Sequence, residues 1–303
     1  MKKNMGTMLL GIFMALTACQ KNTGIADASK AAPTKDLLAV TPIEVPALQA
    51  KSTTVTTEAA LKSAVSSAVA GDVITISGTI NLTSTLQLLA SGTSSSKINI
   101  SGGTLNCSGL PSGSWGVKVN GSYWNIQNMT IKNAPSCGIV FQTGGYNYVY
   151  NVTTSGNGDS GLQIYNGAHH DNITYSHSND NYDASAGGEN ADGYACKLSA
   201  GQGNKFDHCV ANHNSDDGWD LYGQPYTVTI TYCTASNNGY GSAGDGNGFK
   251  LGSAGQSVPH TVTNCTATSN LAWGYDGNGN TGHITTTGSG GSGNGAGLFT
   301  RIY

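Results

Sequence analysis

The sequence predicts an all-β fold, a right-handed parallel β-helix (solenoid) closed at its start by a short helix. A four-residue phrase recurs as Gly138-Ile-Val-Phe, Gly161-Leu-Gln-Ile, Ala195-Cys-Lys-Leu, Gly218-Trp-Asp-Leu, Gly248-Phe-Lys-Leu and Gly274-Tyr-Asp-Gly. Its second and fourth residues are mostly apolar and its third varies, the alternation of a half-buried strand. A second set, Met129, Val152, Ser176, Cys209, Cys233 and Cys265, keeps pace with the phrase at intervals of 23, 24, 33, 24 and 32 residues. A fixed period of this length marks a stack of rungs. No leucine ladder is present, and a propeller needs a longer period. Handedness follows the general preference of parallel crossovers.

Composition agrees. Only 10% of the 303 residues are charged, Gly numbers 43 and the net charge is -3. Disorder needs a higher net charge and fewer β-formers. Basic runs are absent beyond the extreme N-terminus, so no nucleic-acid partner is expected. Arg301 is the sole arginine, which leaves lysine and histidine as the cationic groups of the body. The seven histidines show no ligand spacing and carry no assigned role.

Taken in order, the chain opens with Lys2 and Lys3 before a short apolar run, Met8 to Leu16, the pattern of an export signal too short to span a bilayer. Leu-Thr-Ala-Cys ending at Cys19 resembles the lipobox of bacterial lipoproteins, which makes Cys19 the lipidated first residue after a 1–18 signal. An ordinary secretory signal is the alternative, and either exports the protein to the cell surface or beyond. Membrane attachment is expected only through that lipid. Residues 19–50 read as a flexible Ala/Thr/Pro/Lys tether. Thr56 to Ala70 reads as an amphipathic helix with Leu61, Ala64, Val65, Ala68 and Val69 on one side and Thr56 or Thr57 as cap. Placed over the open end of the stack, it protects an edge. The solenoid is assigned to residues 51–287, with insertions around Asp183–Glu189 and Tyr240–Ala243. Cys209, Cys233 and Cys265 are expected as a column of buried thiols, since parallel side-chain vectors suit bridging poorly; Cys107 and Cys137 are left undecided.

The phrase's third position places Lys197, Asp220, Lys250 and Asp276 in one outward, exposed column. Asp192, Asp216 and Asp217 join Asp220 in adjacent rungs. Four carboxylates on one face repel one another unless neutralised, and a hard divalent cation such as Ca²⁺ suits such an oxygen-rich site. A turn-forming role explains a lone Asp-Gly but not four acids together. Lys250, held between Phe249 and Leu251 beside that cluster, is the candidate base, since a nearby Ca²⁺ and partial desolvation both favour its neutral form; a surface lysine paired with Asp220 and Asp276 is the alternative. Lys197 and Asp276 are candidates for holding substrate, and a plain surface ion-pair ladder is the alternative for both.

The stretch from Asp192 to Asp276 resembles polysaccharide lyase family 9, pectate lyases with a right-handed parallel β-helix. The resemblance implies that Asp192, Asp216, Asp217 and Asp220 hold Ca²⁺ and that Lys250, in Gly-Phe-Lys-Leu-Gly, abstracts a proton. It implies β-elimination on an acidic plant polysaccharide, polygalacturonate (pectate), by a monomer. Residues 288–303 depart from the rung pattern where family members continue, so an irregular, shortened end is expected. Two rivals remain at this point. A glycoside hydrolase is disfavoured because the Gly-His-Gly and Arg-Ile-Lys pattern of polygalacturonases is absent; a non-enzymatic carbohydrate-binding solenoid is disfavoured by the acids and Lys250 together.

Overall fold

A computed structural model describes residues 49–303. The export signal, Cys19 and nearly all of the tether lie outside the described residues. Parallel strands stack in a solenoid of two sheets, one of 16 strands and one of nine. The larger sheet contains two lines of strands that meet at a corner in each rung. Its first line runs from Ser52–Val55 through Val73–Ile76 and Ile98–Ser101 to Thr261–Thr263. Its second includes His177–Asn179, Val210–Asn212, Thr234–Ser236 and Thr266–Thr268.

A single left-handed residue turns the chain between the two lines: Asn128, Asn151, Tyr175, His208, Tyr232 and Asn264 have φ of 49–55°. Asparagine tolerates that conformation better than most side chains, which accounts for part of its abundance. The second repeated set aligns as expected. Met129 pairs with Val152, and Ser176, Cys209 and Cys233 each accept from the next rung at 2.8–2.9 Å. The six described cysteines are free and buried.

The phrase occupies the nine-stranded sheet. Its strands include Ile139–Gln142, Leu162–Tyr165, Tyr194–Cys196, Trp219–Asp220, Phe249–Lys250 and Trp273–Asp276. Its second position forms the core: Tyr194, Trp219, Phe249 and Tyr275 stack face to face, and the exposed Phe299 ends the stack, with successive ring centroids 4.8–4.9 Å apart. That spacing is the inter-strand distance of a sheet, so identical positions in successive rungs bring rings to stacking range without adjustment.

The register changes one alignment. Gln163 pairs with Ala195, and Ala195 with Asp220. The rung therefore starts at Gly193, and Lys197 lies two residues past the column of Asp220, Lys250 and Asp276. The repeated glycine identifies the true phase. A Cβ at Gly218 would lie 2.5 Å from the Gly248 carbonyl oxygen, and one at Gly193 would lie 2.5 Å from the Ala211 Cβ. The column also differs from expectation in exposure: Asp220, Lys250 and Asp276 point away from the core yet are only 3–8% exposed, each being paired with another side chain, Lys197, Asp245 and Arg301 in turn.

The helix spans Glu58–Ser66, shorter than 56–70, and buries Leu61 and Val65. Thr57 caps it, its hydroxyl accepting from the Ala60 N–H at 3.3 Å. Glu58 fastens the helix to the turn below by accepting from the Thr83 N–H at 2.9 Å and hydroxyl at 2.8 Å. At the other end, residues 288–303 are not irregular. Gly290–Ser292 and Gly297–Thr300 add a further rung in register with Thr266–Thr268 and Trp273–Asp276. Glycine supplies no side-chain pattern, so the backbone pairing was invisible in sequence.

A ladder of buried amides stiffens one corner. The side-chain N–H of Asn157 donates to Asn181 Oδ1, Asn181 to Asn214, Asn214 to Asn238, Asn238 to Asn270 and Asn270 to Asn294, all at 2.7–2.9 Å. Buried polar groups survive only when paired in this way. A shorter ladder of Asn147, Asp171 and Asn204 occupies another corner.

Candidate active site

Asp192 and Asp217 occupy equivalent positions, each just before the rung's glycine. Their carbonyls accept from the N–H groups of Gly161 and Gly193 at 3.0 and 2.9 Å. This backbone ladder fixes two carboxylates one above the other. Asp216 is held by both insertions: its Oδ2 accepts from Asn190 N–H at 3.0 Å and its Oδ1 from Asp245 N–H at 2.6 Å. The insertions also bind each other, with Ala243 N–H donating to Gly187 O at 3.1 Å and Tyr240 stacked on Tyr182.

Single oxygens of Asp192, Asp216 and Asp217 all lie within 4.8 Å of one another. Asp217 Oδ1 accepts from the Asn247 N–H at 2.6 Å, whereas its buried Oδ2 has no hydrogen-bond partner. Burial pushes the Asp192 and Asp217 carboxyls far above the usual carboxylate range, with neighbouring acids adding to the shift. Asp216 is raised by burial as well. An unpaired buried oxygen within a triad of hard donors fits a Ca²⁺ ion, which would replace the protons these acids otherwise need.

Asp220 stands apart from that triad. Lys197 Nζ bridges Asp220 Oδ2 and Asp192 Oδ2 at 2.9 Å each, and Asp220 Oδ1 accepts from Tyr222 N–H at 2.9 Å. Burial acts against its charge, but Lys197 and Lys250 outweigh it and lower its pKa. Lys250 is the partner of Asp220 one rung on. Its Nζ is 2.6 Å from Asp245 Oδ2, 3.5 Å from Asp217 Oδ2 and 6.0 Å above the Tyr222 ring. Burial alone would favour a neutral amine, but the charges of Asp217 and Asp220 and the Asp245 hydrogen bond raise the lysine well above its ordinary value. With no ion beside it, the surrounding acids favour the charged form of Lys250.

A cavity of about 390 Å³ opens on these groups, lined by Glu189, Asn190, Lys197, Asp216, Asp220, Tyr222 and Lys250 among others. A larger cavity of about 710 Å³ near Tyr146, His169, His170 and Tyr226 contains no acid. Asp276 does not line the smaller cavity. It pairs with Arg301, whose Nε lies 2.8 Å from its Oδ1, and accepts from Asn278 N–H at 2.7 Å. Asp245, Asn247, Glu189 and Tyr222 belong to the site but were not singled out from sequence. Asp245 sits beside an insertion, where no repeat defines position, whereas Asn247 continues the position of Asp192 and Asp217 one rung on, its carbonyl accepting from the Gly218 N–H at 2.9 Å.

Fold and site together define a parallel β-helix that carries a carboxylate triad and a lysine beside a cavity on its nine-stranded face. The chain belongs to the Pel9A-like family, described as a right-handed β-helix region, which matches residues 45–301. It is 41% identical over 194 residues to pectate lyase L of Paenibacillus polymyxa and 38% identical over 178 residues to pectate lyase L of Dickeya chrysanthemi. Each alignment covers 57% of this chain and 42% of the relative, so the chain spans less than half the length of these curated relatives. The crystal structure of pectate lyase Pel9A superposes with a TM-score of 0.69 at 30% identity, covering 74% of this chain and 61% of that one. An alginate lyase from Paenibacillus sp. shares the fold at 19% identity and a TM-score of 0.60.

Proposed function

We propose that this chain is a Ca²⁺-dependent pectate lyase that cleaves polygalacturonate by β-elimination, with Lys250 as the base. The observation that carries this reading is Lys250 Nζ lying 3.5 Å from the unpaired Asp217 Oδ2, at a cavity rimmed by the other acids. Asp192, Asp216 and Asp217 would hold the ion, with Asp220 beside them. When bound, Ca²⁺ supplies positive charge against the uronate carboxylate and the negative charge that develops next to it. Family membership and the named relatives support the substrate class.

The backbone of Lys250 is anchored by its wholly buried neighbours Phe249 and Leu251, and its amine lies between Asp245, Asp217 and the Tyr222 ring. An ion at the acids would remove the pull of Asp217 and Asp220 on the lysine's proton, so that burial, which favours the free amine, would be opposed chiefly by Asp245. That amine takes the proton from C5 of the uronate. The C5–H electron pair forms the C4–C5 double bond, the C4–O bond breaks, and the glycosidic oxygen leaves with its electron pair. Tyr222, half exposed beside Lys250, offers an apolar wall to a sugar ring. Export, through the signal and with or without a lipid at Cys19, would bring the enzyme to its polymer. A monomer satisfies the site, because every residue named comes from one chain.

The test is ultraviolet absorbance of the unsaturated product on polygalacturonate, with and without chelator. Wild-type protein should produce it only with Ca²⁺, and Lys250→Ala should lose it while remaining folded. Reducing ends without absorbance would indicate hydrolysis instead. Product formation by Lys250→Ala at the wild-type rate would sink the assignment.

A further inference from the structure

The nine-stranded face extends well beyond the cavity at Lys250. The residue just before each rung's glycine forms a column, its carbonyl accepting from the glycine N–H of the rung before. Cys137 accepts from Gly116, Ser160 from Gly138, Asp192 from Gly161 and Asp217 from Gly193, at 2.9–3.2 Å. Trp115 precedes Gly116 and so stands in this column three rungs before Asp192. Lys118 stands in the neighbouring column: it pairs with Val140, Val140 with Gln163, Gln163 with Ala195, and Ala195 with Asp220. At about 4.8 Å per strand, Lys118 lies ~19 Å from Asp220 and ~24 Å from Lys250 along the solenoid axis.

Three side chains meet at that distance from the acids. The Lys118 amine sits 5.7 Å from the centre of the Trp115 ring, within the range in which a ring face steadies a cation. The Trp115 ring meets Tyr165 edge to face, with centroids 6.4 Å apart at 74°. All three side chains are half-buried, so each keeps an open side. Lys197 and Lys250 are paired with acids. Lys118 forms no ion pair among the described residues, and its charge is available to a ligand.

We propose that Trp115, Lys118 and Tyr165 form a remote subsite that binds one acidic sugar of a polymer lying along the nine-stranded face. This rests on reading the chain as a lyase of polygalacturonate. A sugar ring has an apolar C–H face and a polar rim, which suits aromatic rings with a few placed polar groups. A uronate adds a carboxylate, which calls for a cation. The patch supplies both. Between Lys118 and Asp220 the outward column holds only Val140, Gln163 and Ala195, so a polyanion meets no like charge along that column. Only a chain of several sugars spans the gap to Lys250. For such a chain the second contact is intramolecular and strengthens the first. The subsite therefore favours polymer over short oligomers through binding, not through the reacting bond.

The experiment compares KM for polygalacturonate with KM for tetragalacturonate, which is too short to reach Lys118 from Lys250. Both are read by absorbance of the unsaturated product, on the full chain in saturating Ca²⁺. Lys118→Gln should raise the ratio of polymer KM to tetramer KM about threefold to fivefold, and Trp115→Leu up to about tenfold. Lys118→Arg, which keeps the charge, should keep the wild-type ratio. The Lys118→Gln effect should fade in about 1 M salt, where exposed charges are screened. An unchanged ratio in Lys118→Gln with the wild-type melting curve overturns the proposal, as does an equal rise in KM for both substrates. Wild type that forms no unsaturated product is a different failure, that of the lyase reading. Polygalacturonate binding by titration calorimetry then decides the subsite: weaker binding by Lys118→Gln and Trp115→Leu upholds it, and binding equal to wild type overturns it.

Discussion

Asp171 is the one acid in a ladder otherwise made of amides, and replacing it with Asn should stabilise the protein at neutral pH. Asp171 Oδ1 accepts from the Asn147 backbone and side-chain N–H groups at 3.0 and 2.9 Å, and the Asp171 N–H donates to Asn204 Oδ1 at 2.9 Å. In the longer ladder, each Asn side-chain N–H donates to the next Oδ1. At Asp171 the corresponding atom is Oδ2, which is buried and has no partner. A proton on Oδ2 restores the missing donor; a charge there meets only the buried surroundings, with Cys196 nearby. Burial accordingly raises this carboxyl to about 7, even though the Asn147 hydrogen bonds pull it down. Because the folded pKa exceeds the unfolded one, the folded state binds the extra proton between them. The contribution is complete below the unfolded value near 4 and is lost as pH rises through about 7. A shift of this size corresponds to roughly 4 kcal/mol between the two limits. Urea unfolding of wild type and Asp171→Asn across pH 4 to 9 isolates this group, since the other titrations cancel in the difference. The variant should gain stability relative to wild type as pH rises, by up to a few kcal/mol above pH 8. A difference independent of pH would refute the protonated-rung argument.

Other perturbations have defined outcomes. Asn214→Ala strands the Asn181 side-chain donor and removes the donor to Asn238, so urea unfolding should show a loss of about 2–4 kcal/mol. Glu58→Gln should lower stability by about 1 kcal/mol. Burial works against the Glu58 charge, but Lys62 and the Thr83 and Ser84 hydrogen bonds bring it down to about 2. That contribution is present above its ordinary value and fades as pH falls through about 2, so the two proteins should converge in strong acid. Lys250→Ala should reduce lyase turnover by about 10²–10⁴, and wild-type turnover should rise with alkalinity as more lysine is neutral, both read by product absorbance. Chelation should lower the wild-type melting temperature, because a ligand at about 100 times its Kd adds ~2.7 kcal/mol; an unchanged melting curve would argue against an ion at the triad.

Much of the fold was legible because a solenoid writes its repeat into the chain. The apolar second position of the phrase became the Tyr194–Trp219–Phe249–Tyr275 stack, and the Cys209, Cys233 and Cys265 column aligned as read. The same periodicity misled at Lys197, where Ala195-Cys-Lys-Leu mimicked the phrase two residues late. Composition matched but phase did not, and phase is set by the close approach of Gly193 to its neighbours. The glycine-rich stretch after Gly288 failed for the opposite reason: it has no side chains to show a period, although its backbone pairs as another rung.

By itself the sequence determined the architecture and the family resemblance, since a solenoid repeats residue types at fixed intervals, and it singled out the four aspartates and Lys250 as candidates. Tertiary structure decided which of them meet. It joined Asp192, Asp216 and Asp217, diverted Asp220 to Lys197, gave Asp276 to Arg301 and brought Asp245 from an insertion to Lys250. It also set the direction in which the acids pull the lysine's pKa, because burial and the charges of acids from neighbouring rungs act through space, over distances that sequence separation does not encode.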